Sequence, residues 1–118
     1  MRSARMRRVN EALREVLSAR IAEGLKDPRI GFVTVTAVDT SSDFSHARVY
    51  VSVFGGDEER AQTLKGLASS RGYLQQGIAR ELRIKRTPQL EFLHDDVLER
   101  GERISRLLDE GDGETQDS

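Results

Sequence analysis

Residues 28–54 carry two runs of strict alternation around a short polar connection. In the first run Val33, Val35 and Ala37 share one face, with Thr34 and Thr36 on the other. In the second, Ala47, Val49, Val51 and Val53 alternate with His46, Arg48, Tyr50 and Ser52. A period of two built from β-branched and aromatic residues specifies a half-buried antiparallel pair. The connection, residues 40–45, is polar and holds one Asp, as a hairpin loop requires. The chain must therefore cover one apolar sheet face.

Helical spacing supplies the cover. Met6, Val9, Leu13, Val16, Leu17 and Ile21 form one stripe, which predicts a helix from Ser3 or Ala4 to Glu23. Arg20 falls inside that stripe, where its stem can cover apolar surface while its head reaches water. Gly24 and Pro28 stop the helix. After Gly55-Gly56, Asp57 is placed to cap a second helix, with Glu58 and Glu59 in its first turn and Ala61, Leu64, Leu67 and Ala68 facing inward. Residues 69–72 interrupt it, and Leu74, Ile78 and Leu82 resume the stripe to about Arg83. Gly72 inside such a pattern costs about 1 kcal/mol relative to Ala, so it is either tolerated or marks a bend or a close approach. Thr87-Pro88 closes that helix, and residues 90–94 read as a third strand with Leu90 and Phe92 on one face. Asp96 and Glu99 have capping-box spacing, and Val97, Ile104, Leu107 and Leu108 make the stripe of a last helix. Residues 109–118 are acidic with no large apolar side chain, which predicts a disordered tail behind a single domain, residues 1–108.

The order helix, strand, strand, helix, helix, strand, helix, with residues 55–89 long enough for a crossover to a parallel strand, gives an α+β layer fold. Its three-stranded sheet carries helices on one face. Periodicity does not fix the strand order.

The chain has 118 residues and no cysteine, which excludes a disulfide framework and a thiolate metal site. No apolar run approaches a membrane span or a signal peptide, so a cytoplasmic protein without a membrane partner is expected. The net charge of −1 hides an uneven distribution. Residues 1–29 hold eight Arg or Lys against four Asp or Glu, and residues 65–86 hold six against one. Residues 30–64 hold two against five, and residues 87–118 three against ten. A ligand meets a surface rather than an average, so the two basic segments are candidates for phosphate contact, against the plainer reading of solvated charged faces.

The stronger candidate is Lys65, Arg71, Arg80, Arg83, Lys85 and Arg86, crowded around two helix ends. Arg71 stands where a helix start exposes N–H groups that favour an anion. The plainer reading of Arg83, Lys85 and Arg86 is that they complement the helix dipole and the acidic last helix. The second candidate is the first helix, with Arg2, Arg5, Arg7, Arg8 and Arg14; pairing with Glu11 and Glu15 explains it equally well. Tyr73 is the one aromatic near either group, and it is expected to pack into the core in preference to stacking on a base. His94, Asp95 and Asp96 lack a third nitrogen or sulfur ligand. Ser41, Ser42, Asp43 and His46 form no nucleophile arrangement. No phosphate-binding Gly-rich motif ending in Lys-Ser/Thr is present. No catalytic residue, metal site or cofactor is expected.

The wording of the hairpin resembles the ribosome-binding factor A family, bacterial factors that mature the small ribosomal subunit. The resemblance runs in unbroken order over about residues 3–108. Arg5 to Val16 looks like the opening helix, Asp27-Pro28-Arg29 like the turn into the first strand, and Thr87-Pro88-Gln89-Leu90 with His94-Asp95-Asp96 like the last strand and the start of the last helix. Ser70-Arg71-Gly72 stands at the family's small-x-Gly kink, where many members have Ala in place of Ser70. The resemblance implies a type II KH-like fold with a mixed sheet, in which Ser70-Arg71-Gly72 takes the place of the nucleotide-clamping Gly-x-x-Gly. It also implies a non-catalytic monomer that binds the free 30S subunit and the 5′ region of 16S rRNA. Late maturation, cold adaptation and other assembly factors such as GTPases come with it. The competing reading is a small interaction or dimerisation module without an RNA ligand, whose signature would be an apolar sheet face opposite the helices. A small hydrolase built on His94 and Asp95 is a third.

Overall fold

The computed structural model describes residues 3–95. The expected last helix, the domain end at 108 and the tail at 109–118 lie outside the described residues. Helix α1 spans Ala4–Ala22. Ser3 Oγ accepts from Met6 N at 3.1 Å, satisfying one of the free N–H groups of the first turn. The chain leaves α1 through Gly24 at φ +102°, a conformation that favours glycine.

Strands β1 (Val33–Thr40) and β2 (His46–Val53) form the antiparallel hairpin, and β3 (Gln89–His94) pairs parallel to β2. The sheet order is β1-β2-β3. Helices α2 (Asp57–Ser69) and α3 (Arg71–Glu81) make the crossover between β2 and β3. Helix α1 packs on β1 and α3, and α2 on β3. Ala47, Val49, Val51 and Val53 are all buried beneath the helices, as their alternation predicts. With Leu13, Leu17, Leu67, Leu74, Ile78 and Leu90 they form one core. The other face is wet: Thr34, Arg48, Ser52 and Glu91 are exposed there.

Four local expectations are corrected. The alternation of β1 does not run through Ala37, because the register slips between Val35 and Ala37. Thr36 is the extra residue of a β-bulge, so Val38 and Thr40 turn inward and Thr40 belongs to the strand. Asp57 does not cap α2: Gly56 does, and Glu59 Oε1 accepts from Gly56 N at 2.9 Å. Ala61 is exposed, and Thr63 and Gly66 take the inward positions beside Leu67. Helix α3 ends at Glu81, two residues short of Arg83.

Thr63 and Gly66 are buried because the chain from α1 to β1 passes under α2. Thr63 Oγ1 accepts from Gly31 N at 3.2 Å. A Cβ on Gly66 would lie 2.5 Å from Ile30 Cγ1. Gly77 has the same role between α1 and α3, where a Cβ would lie 2.8 Å from Arg20 Nε.

Candidate nucleic-acid interface

Strand pairing decides which loops meet. Thr40 lies opposite Ala47 and His46 opposite Gln89, so the hairpin loop and the start of β3 share one end of the sheet. Gln89 N donates to Ser45 O at 2.9 Å. Asn10 Oδ1 accepts from Thr40 N at 2.9 Å, which brings the N-terminal half of α1 to the same end. The basic residues follow the backbone. Arg5, Arg7 and Arg8 precede Asn10, and Arg83, Lys85 and Arg86 precede Gln89. Arg71 extends from the kink to this end, its Nη1 donating to Leu90 O at 3.4 Å. Arg80 lies in the last turn of α3. No contact among the described residues ties Lys65, exposed on α2, to this group.

The opposite end has different chemistry. Val33 pairs with Val53, and Phe54 N donates to Phe32 O at 3.0 Å. The two phenylalanines are 83% and 80% exposed. Asp57, Glu58 and Glu59 follow in the first turn of α2. The fold thus brings the start of α1 and the segment before β3 to one end of the sheet and places an acidic, aromatic surface at the other.

Ion pairing separates the arginines. Among the described residues Arg14, Arg20, Arg29, Arg48 and Arg60 each pair with a carboxylate. Arg5, Arg8, Lys65, Arg80, Arg83 and Lys85 are exposed and make no such pair among the described residues. The Arg14–Glu11 hydrogen bond holds the carboxyl below its ordinary range, so Arg14 is engaged on its own helix. Arg7 lines a shallow recess with Asn10, Thr36 and Val38. Asp43 accepts from Ser45 Oγ, Ser45 N and Ser41 Oγ, and these bonds, with the nearby charge of Arg86, keep it far below the usual carboxylate value. That turn is tight enough to hold Phe44 at φ +61°.

The kink is centred on Ser70, at φ −94° and ψ 6° between α2 and α3. Ser70 Oγ donates to Gly66 O at 3.0 Å, and no side chain caps α3. Gly72 has no positive φ, and a Cβ there would meet nothing within 4 Å, so it is neither the bend nor a close approach. Tyr73 is 46% exposed and outside the core, against the sequence expectation. The Arg20 guanidinium lies 5.7 Å from its ring centroid and 2.8 Å from Glu81 Oε2. Tyr73 and Glu81 together favour the charged form of Arg20.

His94 and Asp95, the residues of the hydrolase reading, lie at and just beyond the end of β3. Asp95 is buried and accepts from Thr36 Oγ1 at 2.6 Å, tying the bulge to the end of β3. His94 pairs with Val51, five residues along β2 from His46, which is about 16 Å of strand.

The family model of ribosome-binding factor A matches residues 5–108. The chain belongs to the ribosome-binding factor A family. It is 47% identical over 103 residues to the Geobacter metallireducens ribosome-binding factor A, covering 87% of each chain. Against the Brevibacillus brevis protein it is 42% identical over 119 residues, covering 99% of this chain and 98% of that one. The solution NMR structure of a Thermotoga maritima putative ribosome-binding factor A superposes with a TM-score of 0.71 at 31% identity, over 82% of this chain and 92% of that one. The crystal structure of the Thermus thermophilus ribosome-binding factor A gives 0.66 at 35%, over 75% and 94%. A Thermus thermophilus homology model, fitted into the cryo-EM map of a 30S complex with ribosome-binding factor A, gives 0.59 at 37%, over 71% and 88%. The ribosome-binding factor A fold is KH-like, and in this member Ser70 alone stands between the two helices where KH domains place Gly-x-x-Gly, with Arg71 and Gly72 already in the first turn of α3.

Sequence reasoning missed two features. Segment charge marked the basic stretches but not that topology gathers them at one end. The contact of Tyr73 with Arg20 comes from α1, a tertiary contact with no local signature.

Proposed function

We propose that this chain is a ribosome assembly factor that binds the free 30S subunit, contacts 16S rRNA including its 5′ region, and assists late maturation and 5′-end processing. It acts by holding RNA, without making or breaking bonds, in the cytoplasm and as a monomer. The observation that carries this reading is the basic end of the sheet, where Arg5, Arg8, Arg83 and Lys85 are exposed without carboxylate partners among the described residues, with Arg80 exposed in the last turn of α3. Family membership, and a relative fitted into a 30S complex, support the choice of ligand. Arg71 and Arg86 extend the surface, Arg7, Arg14, Ser70 and Gly72 stand at its margin, and Lys65, exposed on α2, is a separate candidate contact. Residues 1–108 are the working unit and residues 109–118 an appendage to it. Cofactors have no part in it, and assembly GTPases would act beside it on the same particle.

The test is depletion of the protein from its host, followed by mapping of 16S 5′ ends in free 30S particles. Precursor ends should accumulate and return to mature length on re-expression. Mature ends throughout depletion would overturn the maturation role.

The interaction-module reading loses its expected signature, since the open sheet face is polar, but Phe32 and Phe54 give it one observation. A protein contact there would be separate from the basic end.

A further inference from the structure

Beside the kink lies a cleft of about 780 Å³ between the chain that leaves α1 and the start of α3. Leu25 and Pro28 line it with apolar surface, Tyr73 with an aromatic ring, Lys26 with a cation, and Ser69 and Ser70 with hydroxyls. Its wall is fixed. Arg29 forks onto Asp27, with Nε to Oδ1 at 2.9 Å and Nη2 to Oδ2 at 2.6 Å, and also donates to Ser69 Oγ at 2.9 Å. Arg20 holds the Tyr73 ring from the α1 side. Lys26 is exposed and makes no ion pair among the described residues.

These parts match the parts of one nucleotide. A flat apolar wall with an exposed ring accepts a base by stacking, which needs no particular sequence. Ser69 Oγ already accepts from Arg29, so its own O–H is left to donate to a base edge or a 2′-hydroxyl. Lys26 supplies a charge for the phosphate. Arg71, adjoining the cleft through Ser70, directs its guanidinium toward Leu90 and so links the cleft to the basic end of the sheet. A peptide would also find apolar surface here, but with Arg29 neutralised by Asp27 the remaining lining charge is the cation of Lys26, which favours an anionic ligand.

We propose that this cleft takes a single unstacked RNA nucleotide, with its base on Tyr73 and its phosphate at Lys26. The proposal rests on the RNA-binding reading and adds to it a site outside the basic end.

The test uses the full chain and free 30S subunits carrying 4-thiouridine, irradiated after binding, with Kd measured in parallel by co-sedimentation. A crosslink at Tyr73 is expected. Tyr73→Ala should weaken binding by about five- to a hundredfold, the usual cost of losing one stacked base. Tyr73→Phe should restore it, because the ring and not the hydroxyl carries the base. Circular dichroism melts of both variants report whether the fold is kept. If Tyr73→Ala binds normally and no crosslink forms near the cleft while an Arg83→Ala/Lys85→Ala variant binds poorly, the cleft proposal falls and the RNA reading stands. If the unaltered chain binds no 30S subunit at all, the RNA reading itself falls. Loss of a protein crosslink in place of an RNA crosslink on Tyr73→Ala would assign the cleft to a peptide and overturn the proposal.

Discussion

Gly66 and Gly72 look alike in the sequence, each a glycine within a helical pattern, and the structure gives them opposite roles. Gly66 lies against Ile30, and a methyl group there meets Cγ1 at 2.5 Å. Gly66→Ala should destabilise by about 1–3 kcal/mol through overpacking. Gly72 faces open space with ordinary backbone geometry. Gly72→Ala should therefore stabilise by up to about 1 kcal/mol. Urea melts of the two variants check both signs, and a stabilised Gly66→Ala would contradict the packing described. Asp27 provides a second test. Its hydrogen bonds from the Arg29 side chain and backbone lower its pKa from 3.8 to about 2. The folded state therefore favours the carboxylate, and this contribution is complete above pH 3.8 and disappears as pH falls through about 2. Asp43 adds a contribution of the same sign. Thermal melts across this window should show a steeper acid loss for the unaltered chain than for Asp27→Asn; parallel curves would show that the Arg29 fork contributes nothing.

At the scale of elements, the hairpin was the most legible part of the sequence and also the place where simple alternation failed. The β2 alternation holds because a central strand lies between two neighbours and under the helices. The β1 alternation breaks at Thr36, whose hydroxyl bonds Asp95, a partner 59 residues away. Period-two reasoning cannot see a bulge that a distant carboxylate holds. The helices were readable for the same reason as β2, with Leu13, Leu17, Leu74 and Ile78 buried as their spacing requires. The inward positions of α2 were misread because Thr63 and Gly66 answer to the chain passing beneath them. The hairpin turn depends on Asp43, which accepts three hydrogen bonds. Asp43→Ala should lower the melting temperature and speed hydrogen exchange at Ser45 N–H. Unchanged exchange there would mean that the strands alone set the turn.

For the molecule as a whole, the decisive feature is that charge is sorted by topology. The parallel pairing of β3 with β2 brings the segment that carries Arg83, Lys85 and Arg86 to the hairpin end, with Arg86 near Asp43, and the Asn10 contact adds the start of α1. The sequence showed which segments are basic. It could not show that they meet, because that depends on strand order, which periodicity leaves open. The acidic end, with Asp57, Glu58 and Glu59, serves as the internal control. Deleting residues 109–118 should leave the melting temperature nearly unchanged and slightly strengthen RNA binding, since five of those residues are acidic. A large drop in melting temperature would show that they contribute to the fold.

The most direct test is the salt dependence of binding to free 30S subunits, compared between the unaltered chain, Arg83→Ala/Lys85→Ala and Glu58→Ala. Binding through the basic end predicts a steep fall in affinity with salt, with a log–log slope of about one per phosphate contact. The double variant should bind more weakly, with a slope shallower by about two, while Glu58→Ala keeps the slope of the unaltered chain. A flat salt response, or a double variant with the affinity and slope of the unaltered chain, would contradict the account.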